Sequence, residues 1–361
     1  MTYLRKERKL NVILVGINDL LNIIDWEEAS KRLSELARTL FKIVFELVEQ
    51  SYKLKYGDPR IDKVGNGLKP FPTKSKMCLV ALGKLGGNEV TYHSDLDIIS
   101  IYFGDGYTNG ENSIDNFTYF SKLTADVIKA LSDMGEEGYI YKVDARLRPE
   151  GKNAPITAPI ERYYDYYENK AMLWEYQSFL KADYLVGDKS LAEEFINNVK
   201  RIIIKNVSKF NIRNNILDMK KRLEEKDKLP DWALSDIKNG RGGISDIDFL
   251  IQYLQLKYCN SYSDIFEANS LRALEKLFHF NILDESTYKE LKNLYIFLRR
   301  IDSRTRLIFY PQFGLFPKKD YKYQALSKSL KMESEKTDSL KKLFIDYSSL
   351  LRETFLRIVS K

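Results

Sequence analysis

The sequence predicts an α+β protein, with a small mixed-sheet core embedded in a mainly helical chain and a helical bundle at the C-terminal side. Three observations carry this expectation. Short runs rich in Val, Ile and Tyr (MCLVALG from Met77, LDIISIYF from Leu96 and YIYKVDARL from Tyr139) fall within one stretch of about 75 residues. Apolar residues recur at spacings of three and four before that stretch and again after Pro149. With 361 residues, 44% hydrophobic and 13% aromatic, the chain carries too much apolar surface for a disordered segment even at 30% charged residues.

Taken in order, MTYLRKERKLNVILVGIND imitates a signal peptide, but its apolar run Val12 to Ile17 is too short and Asn18-Asp19 follow it. No apolar run reaches the roughly 18 to 20 residues of a membrane span, so the cytoplasm is the expected compartment. Residues 26–55 read as a long amphipathic helix on Leu33, Leu36, Leu40, Ile43, Val44 and Leu47. Tyr56 to Lys76, broken by Gly57, Pro59, Gly65, Gly67, Pro70 and Pro72, reads as a connection. The three β runs follow, with a helix expected from about Phe117 to Met134. Beyond Pro149 the texture is helical to the end: Ile212, Ile216, Met219 and Leu223 mark one helix, Ile244, Ile247, Ile251 and Leu254 another, and residues 264–310 and 335–359 supply more. The expected domains are a helical segment 1–70, a catalytic domain 71–200 and a helical bundle 201–361.

Two cysteines and two histidines exclude a zinc ribbon and a disulfide framework by count. Any metal must be held by oxygen, which points to Mg²⁺ or Mn²⁺. The net charge of +7, from 58 basic and 51 acidic residues, is spread along the chain and gives no reason to expect a nucleic-acid partner.

Chemistry concentrates in Leu82 to Tyr102. An apolar strand ends at Gly83 and a turn rich in glycine (Gly83, Gly86, Gly87) follows, then Asp95-Leu96-Asp97 opens a second strand. Alternate strand residues share a face, so Asp95 and Asp97 point together while Leu96 and Ile98 point to the core. Two such carboxylates resist joint ionisation unless a cation sits between them. In Val143-Asp144-Ala145-Arg146-Leu147-Arg148 the same alternation places Asp144, Arg146 and Arg148 on one face. Three acids for two Mg²⁺ ions, two arginines for phosphate oxygens, and a glycine turn whose amides can approach a triphosphate make up a site for nucleotidyl transfer. Each piece alone is an ordinary turn or surface pair; their occurrence together and in order marks a site.

These residues resemble the nucleotidyltransferase superfamily that includes DNA polymerase β, through Gly83-Lys84 followed by Asp95-Leu96-Asp97. More closely, Gly83-Lys84-Leu85-Gly86-Gly87-Asn88-Glu89, Ser94-Asp95-Leu96-Asp97 and Val143 to Pro149 resemble the glutamine synthetase adenylyltransferase family. Trp174-Glu175-Tyr176-Gln177, Leu180-Lys181-Ala182 and Gly242-Gly243-Ile244-Ser245-Asp246-Ile247-Asp248-Phe249 are similar to further motifs of that family, in the expected order. The resemblance is strong over residues 77–258. Members usually carry two such modules, one attaching AMP to a tyrosine of glutamine synthetase and one removing it by phosphorolysis; this chain has one. Asp183 stands where the pattern has Arg, and Asp248 where it has Glu.

The resemblance implies ATP as substrate and Asp95, Asp97 and Asp144 as ligands of two Mg²⁺ ions (or Mn²⁺), with Asp144 also accepting the tyrosine proton. Gly83, Lys84, Gly86, Gly87, Ser94, Arg146 and Arg148 would bind the nucleotide. Glutamine synthetase is the implied partner, with a PII-type signal protein as a second. The wording around Tyr92 and Ser94 to Asp97, and Gln252-Tyr253-Leu254, favours the adenylylating direction. Phosphorolytic removal of AMP and a non-catalytic nucleotide-binding module stay open as alternatives. His93, in a loop, reads as solvated, Trp174 as core, Cys78 as a buried strand residue, and Gly242-Gly243 as a helix start with Asp246 near its positive end.

Overall fold

Helices α1 (Thr2–Leu20) and α2 (Trp26–Tyr56) open the chain. The carboxylate of Asp25 accepts the Glu28 N–H at 2.8 Å, which closes the first turn of α2. Leu33, Ala37, Leu40, Phe41, Val44 and Phe45 are buried along one stripe, whereas Leu47, expected on it, is 50% exposed. The stripe advances with the 3.6-residue period, so by its fourth turn it has passed from residue 44 to residues 45 and 48 and left 47 outside. The computed structural model describes residues 1–64, 67–225, 229–310, 314–318, 321–331 and 337–360.

Strands β1 (Arg60–Val64) and β2 (Gly67–Lys74) pair antiparallel, with Arg60 opposite Lys74 and Val64 opposite Gly67. The stretch read as a connection therefore carries a hairpin. Its glycines and prolines mask the strand signal, and a two-stranded ribbon tolerates Pro70 and Pro72 because both of its strands are edges. Gly65 lies outside the described residues.

The catalytic stretch then builds β3 (Lys76–Ala81), α3 (Gly83–Gly86), β4 (Leu96–Phe103), α4 (Asn116–Ser132) and β5 (Val143–Asp144). After it come β6 (Thr157–Pro159), α5 (Ile160–Asn169), α6 (Leu173–Phe179), β7 (Asp183–Gly187) and α7 (Lys189–Asn206). One sheet runs β5-β4-β3-β7, with β6 also on β4. β3 is antiparallel to both β4 and β7; β5 and β6 are parallel to β4 and share its free edge, β5 at the Leu96 end and β6 at the Tyr102 end. Two expectations are corrected here. The run from Tyr139 to Leu147 is strand at two residues only, and β6 and β7 bring sheet structure past Pro149. Both strands are short and lack clear alternation, so pairing with an existing sheet edge, a tertiary effect, decides them.

Apolar side chains of β3 and β4, among them Cys78, Leu79, Val80, Ile98, Ile99 and Ile101, are fully buried. Helix α4 packs Phe120, Leu123 and Val127 against the face of Leu79 and Ile98, where its Thr124 shares a buried hydroxyl chain with Ser100 and Thr157, both links 2.9 Å; Cys78, Val80, Ile99 and Ile101 point to the opposite face.

The remaining elements are α8 (Ile212–Glu224), β8 (Ala233–Asp236), α9 (Ile244–Tyr258), α10 (Ser270–His279), α11 (Glu285–Ile308), β9 (Leu315–Pro317), α12 (Tyr321–Ser329) and α13 (Thr337–Val359). Helices dominate, as expected, with β8 and β9 paired antiparallel among them. Residues 335 and 336, expected at the start of the last helix, lie outside the described residues.

Contacts group the chain into two units, against the three stretches 1–70, 71–200 and 201–361 expected. One comprises Met1–Ile13, Lys31–Val90 and Ser94–Asn206; the other comprises Leu14–Ser30, Thr91–His93 and Val207–Lys361. In the second unit Asp19, 2% exposed, pairs with Arg304 at 2.9 Å and accepts the Tyr92 hydroxyl at 3.1 Å, and burial raises its pKa in spite of Arg304. His93 adopts a left-handed backbone (φ 58°) and its ring lies 4.2 Å from that of Tyr310, so it is packed where it was read as solvated. No helix among the described residues is long and apolar enough to cross a membrane.

Candidate active site

The site lies in the first unit, where β3 ends, β4 begins and β5 joins. Strand pairing at the β3 end continues through Leu82, whose N–H donates to the Asp97 carbonyl at 2.9 Å. The chain then turns at Gly83 in the left-handed region, φ 52°. A Cβ built on Gly83 would sit 2.2 Å from Oδ2 of Asp97, so the missing side chain makes the room that the carboxylate occupies. Gly86 is constrained by packing: a Cβ there would lie 1.8 Å from the Lys181 carbonyl oxygen and 2.9 Å from that of Ala81. Gly87 caps the four-residue α3, donating to the Gly83 carbonyl at 3.2 Å, and the Lys84 carbonyl accepts the Glu89 N–H at 2.7 Å.

Parallel pairing of β4 and β5 sets Leu96 beside Val143 and Asp97 beside Asp144. Register partners on adjacent strands are about 4.8 Å apart and point to the same face. Asp95 is exposed just ahead of β4, with Ser94 half-buried beside it; Leu96 and Ile98 are fully buried. Leu96 and Ile98 thus face the core, and Asp97 between them faces the other side of β4.

Arg146 reaches these acids by a route other than strand alternation. Strand β5 stops at Asp144, and the next residues turn, with the Arg146 N–H donating to Asp144 Oδ1 at 2.8 Å. The Arg146 guanidinium then forks onto the same carboxylate, its Nε 2.9 Å from both oxygens. This bonding, stronger than the opposing effect of partial burial, holds the Asp144 carboxyl below the ordinary carboxylate range. Asp144 acts most strongly on Arg146 in turn, and Asp97 and Asp95 add to the field that favours its charge. Four of the expected residues thus share one electrostatic site.

Arg148 does not point at that site. Its guanidinium donates to the carbonyls of Ala145, Lys152 and Ala154 and pins the loop that follows β5. Trp174, expected in the core, is 41% exposed, while its neighbour Glu175 is buried and accepts the Tyr166 hydroxyl and the Met172 N–H, each at 2.8 Å. Gly243 is the N-cap of α9, and Asp246 accepts the Gly242 N–H at 3.1 Å. Asp246 pairs with Lys220 at 2.7 Å, whereas Asp248 turns to Ser270 at 3.1 Å and Arg299 at 3.6 Å, so the two acids diverge.

Sequence reading missed the clamp beneath the glycine turn. Arg38 of α2 donates to the Leu85 carbonyl (3.0 Å), Asn88 Oδ1 (2.8 Å), the Tyr184 carbonyl (2.6 Å) and the Asp183 carboxylate (2.7 Å). It ties α2, α3 and β7 together, and Asp183 has a basic partner there. Lys181 adds a buried pair with Glu89 at 2.6 Å. A charged residue on a helix reads as solvent-facing, so Arg38 gave no signal; Glu89 and Lys181 stood inside motifs without a role.

The donor set at Asp95, Asp97 and Asp144 is all oxygen and accessible, which fits a hard divalent cation, and Arg146 shows that the cluster already draws positive charge. As placed, no three His, Cys, Asp or Glu side chains among the described residues close on one point, and the Asp144 carboxylate is bonded to Arg146.

The family described as glutamate-ammonia ligase adenylyltransferase matches residues 1–198, and that described as GlnD PII-uridylyltransferase matches residues 211–353. The bifunctional glutamine synthetase adenylyltransferase/adenylyl-removing enzyme of Hahella chejuensis is 29% identical over 315 residues, 85% of this chain and 32% of that protein. Enzymes with the same description from Nitrosomonas europaea (29% over 313 residues, 84% and 32%) and Streptomyces coelicolor (25% over 343 residues, 94% and 32%) are similar to it as well. The chain spans about a third of the length of these relatives.

Proposed function

Because the chain belongs to the glutamate-ammonia ligase adenylyltransferase family, we propose that it transfers AMP from ATP to a tyrosine of glutamine synthetase. The observation that carries the reading is the placement of Asp97 over the bare Cα of Gly83 and in register with Asp144. Asp95, Asp97 and Asp144 would hold Mg²⁺, which when bound offsets phosphate charge and favours ionisation of the attacking hydroxyl. Asp144 holds Arg146 until nucleotide enters, and once Arg146 has turned to phosphate its carboxylate completes the acid cluster and accepts the tyrosine proton. Arg146, whose side chain is 74% exposed, is placed to leave Asp144 for phosphate oxygens when nucleotide enters. Gly83, Lys84 and Gly87 contribute backbone and charge beside Asp97, Ser94 a hydroxyl before Asp95, and Gly86 close packing of the turn. Arg148 acts on the reaction by fixing the loop that carries Arg146.

The partner is glutamine synthetase in the cytoplasm, with a PII-type protein as regulator. A phosphorolytic removal of AMP uses the same acids and is the second reading, favoured by the description of the relatives, which name both activities. One experiment separates them: the chain is incubated with glutamine synthetase, labelled ATP and Mg²⁺, and in parallel with adenylylated synthetase and phosphate. Label on the synthetase with release of pyrophosphate is expected. ADP release in the parallel reaction alone reverses the direction, and inactivity in both, with ATP bound, leaves a non-catalytic nucleotide-binding module.

A further inference from the structure

Two motifs singled out in the sequence, Gly83 to Glu89 and Leu180-Lys181-Ala182, meet at a buried ion pair to which the reaction as described gives no part. The Glu89 side chain is 1% exposed and that of Lys181 14%, and the ammonium donates to Glu89 Oε2 at 2.6 Å. Lys181 meets the same turn a second time through its backbone, because its carbonyl oxygen lies 1.8 Å from where a Cβ on Gly86 would sit. Just beyond, the Val90 N–H donates to Ser34 Oγ of α2 at 3.0 Å. Helix α3 has only four residues. One turn fixes several backbone angles for few bonds, so it persists where neighbours hold it. A buried ion pair is a poor source of such support by energy alone, since desolvation offsets most of the attraction and apolar groups of the same volume often serve as well.

Taking AMP transfer as the reaction of this site, on which the inference rests, we infer that Glu89 and Lys181 are positioning residues: their pair seats the Gly83–Gly87 turn, and the turn sets Gly83 against Asp97. The route is continuous. Glu89 is bonded through its own N–H to the Lys84 carbonyl at 2.7 Å, and the Gly86 and Gly87 amides reach the Leu82 and Gly83 carbonyls at 2.9 and 3.2 Å. At the far end of the turn, Asp97 Oδ2 lies 2.2 Å from the place of a Gly83 Cβ, so a turn that slides toward β4 displaces that carboxylate. Leu85, Gly86, Gly87 and Glu89 are buried, whereas Gly83 and Lys84 are half-buried, so the turn is anchored on one side and open on the other. Arg38 holds Leu85 and Asn88, and Lys181 holds Gly86 and Glu89. The pair acts through the turn and not on the nucleotide: Glu89 is closed to solvent and carries the sign of phosphate, and the Lys181 ammonium is drawn to it.

Glu89→Gln, Lys181→Met and the two together, made in the full chain, test this. Hydrogen exchange read by mass spectrometry should quicken by about tenfold or more in residues 82–90 of each variant, with peptides from α4 and α7 unchanged. In initial-rate assays of AMP transfer, kcat should fall on the order of a hundredfold while the dissociation constant of ATP, from calorimetry, stays within about threefold, because a misplaced turn is felt most in the transition state. The double variant should lose no more than either single one. It leaves no buried charge without its partner, so it carries the same test if a single variant fails to fold. Exchange in residues 82–90 equal to the wild type overturns the inference, as does a lowered urea midpoint with kcat unchanged in folded protein. Losses that multiply in the double variant also overturn it. So does an ATP affinity that falls by about tenfold in Lys181→Met but not in Glu89→Gln, which would make Lys181 a nucleotide contact. A wild-type chain that neither labels the synthetase nor releases ADP from its adenylylated form would sink the AMP-transfer reading by itself, and exchange in residues 82–90 would still decide whether the pair seats the turn.

Discussion

Gly83 and Asp97 are fourteen positions apart, yet one has no side chain because the other's carboxylate fills that space. Gly83→Ala therefore meets both a left-handed backbone and a contact of 2.2 Å. Displacing Asp97 by about an ångström should lower AMP transfer by on the order of a hundredfold. Initial rates of label transfer measure this beside urea unfolding, and an undiminished rate would remove Asp97 placement from the account. Arg38→Ala strips four acceptors of one charged donor and should cost about 2 to 3 kcal/mol in urea unfolding. Adding Asp183→Asn to that variant should cost less than adding it to the wild type, because their 2.7 Å pair is already gone. The acids were legible at this scale because two strand neighbours of like charge are costly without a cation. Arg38 was not: its four acceptors are backbone and side-chain groups brought from residues 85–88 and 183–184 by folding.

Elements with local end signals were the legible ones. Asp115 precedes the 3.6-residue pattern of α4 and accepts the Thr118 N–H at 2.8 Å. Burial raises its pKa, but the bonds from Thr118 and neighbouring amides outweigh that and leave it below the ordinary value. A depressed acid stabilises the fold above its unfolded pKa and loses that contribution as pH falls through the folded one. Asp115→Ala should thus cost about 1 kcal/mol at neutral pH. The gap between variant and wild type should persist to about pH 4 and close below it, as urea unfolding at a series of pH values will show; a gap that does not change with pH would mean the cap acts without charge. Strands behave otherwise. β3 and β4 carry long apolar runs and were visible, whereas β5 is two residues that are strand only because β4 offers an unpaired edge.

At the scale of the molecule, the second unit rests on a buried charge network with no sequence signature. Asp246 is 0% and Lys220 1% exposed, 26 residues apart in sequence and 2.7 Å apart in space. Asp246→Ala leaves a buried ammonium with a weaker set of partners and should destabilise the fold by about 3 to 5 kcal/mol, seen as a lowered melting temperature. Asp248→Asn takes the charged partner from buried Arg299 and should lower the melting temperature, while leaving ATP binding nearly unchanged; loss of binding with the fold retained would count against this. The sequence by itself determined the classes of structure and the chemical core: period distinguishes helix from strand, and Asp95 and Asp97 stand two residues apart in one continuous segment. Only the tertiary structure decided that Asp144 lies beside Asp97, that Arg146 arrives by a turn, and that Arg148 serves the loop. It also decided that residues 14–30 and 91–93 belong with the helical unit. The physical reason is range. Hydrogen-bonding period and end caps act within a few residues, whereas strand pairing, close packing over a glycine and desolvation of charge depend on which distant segments share the space.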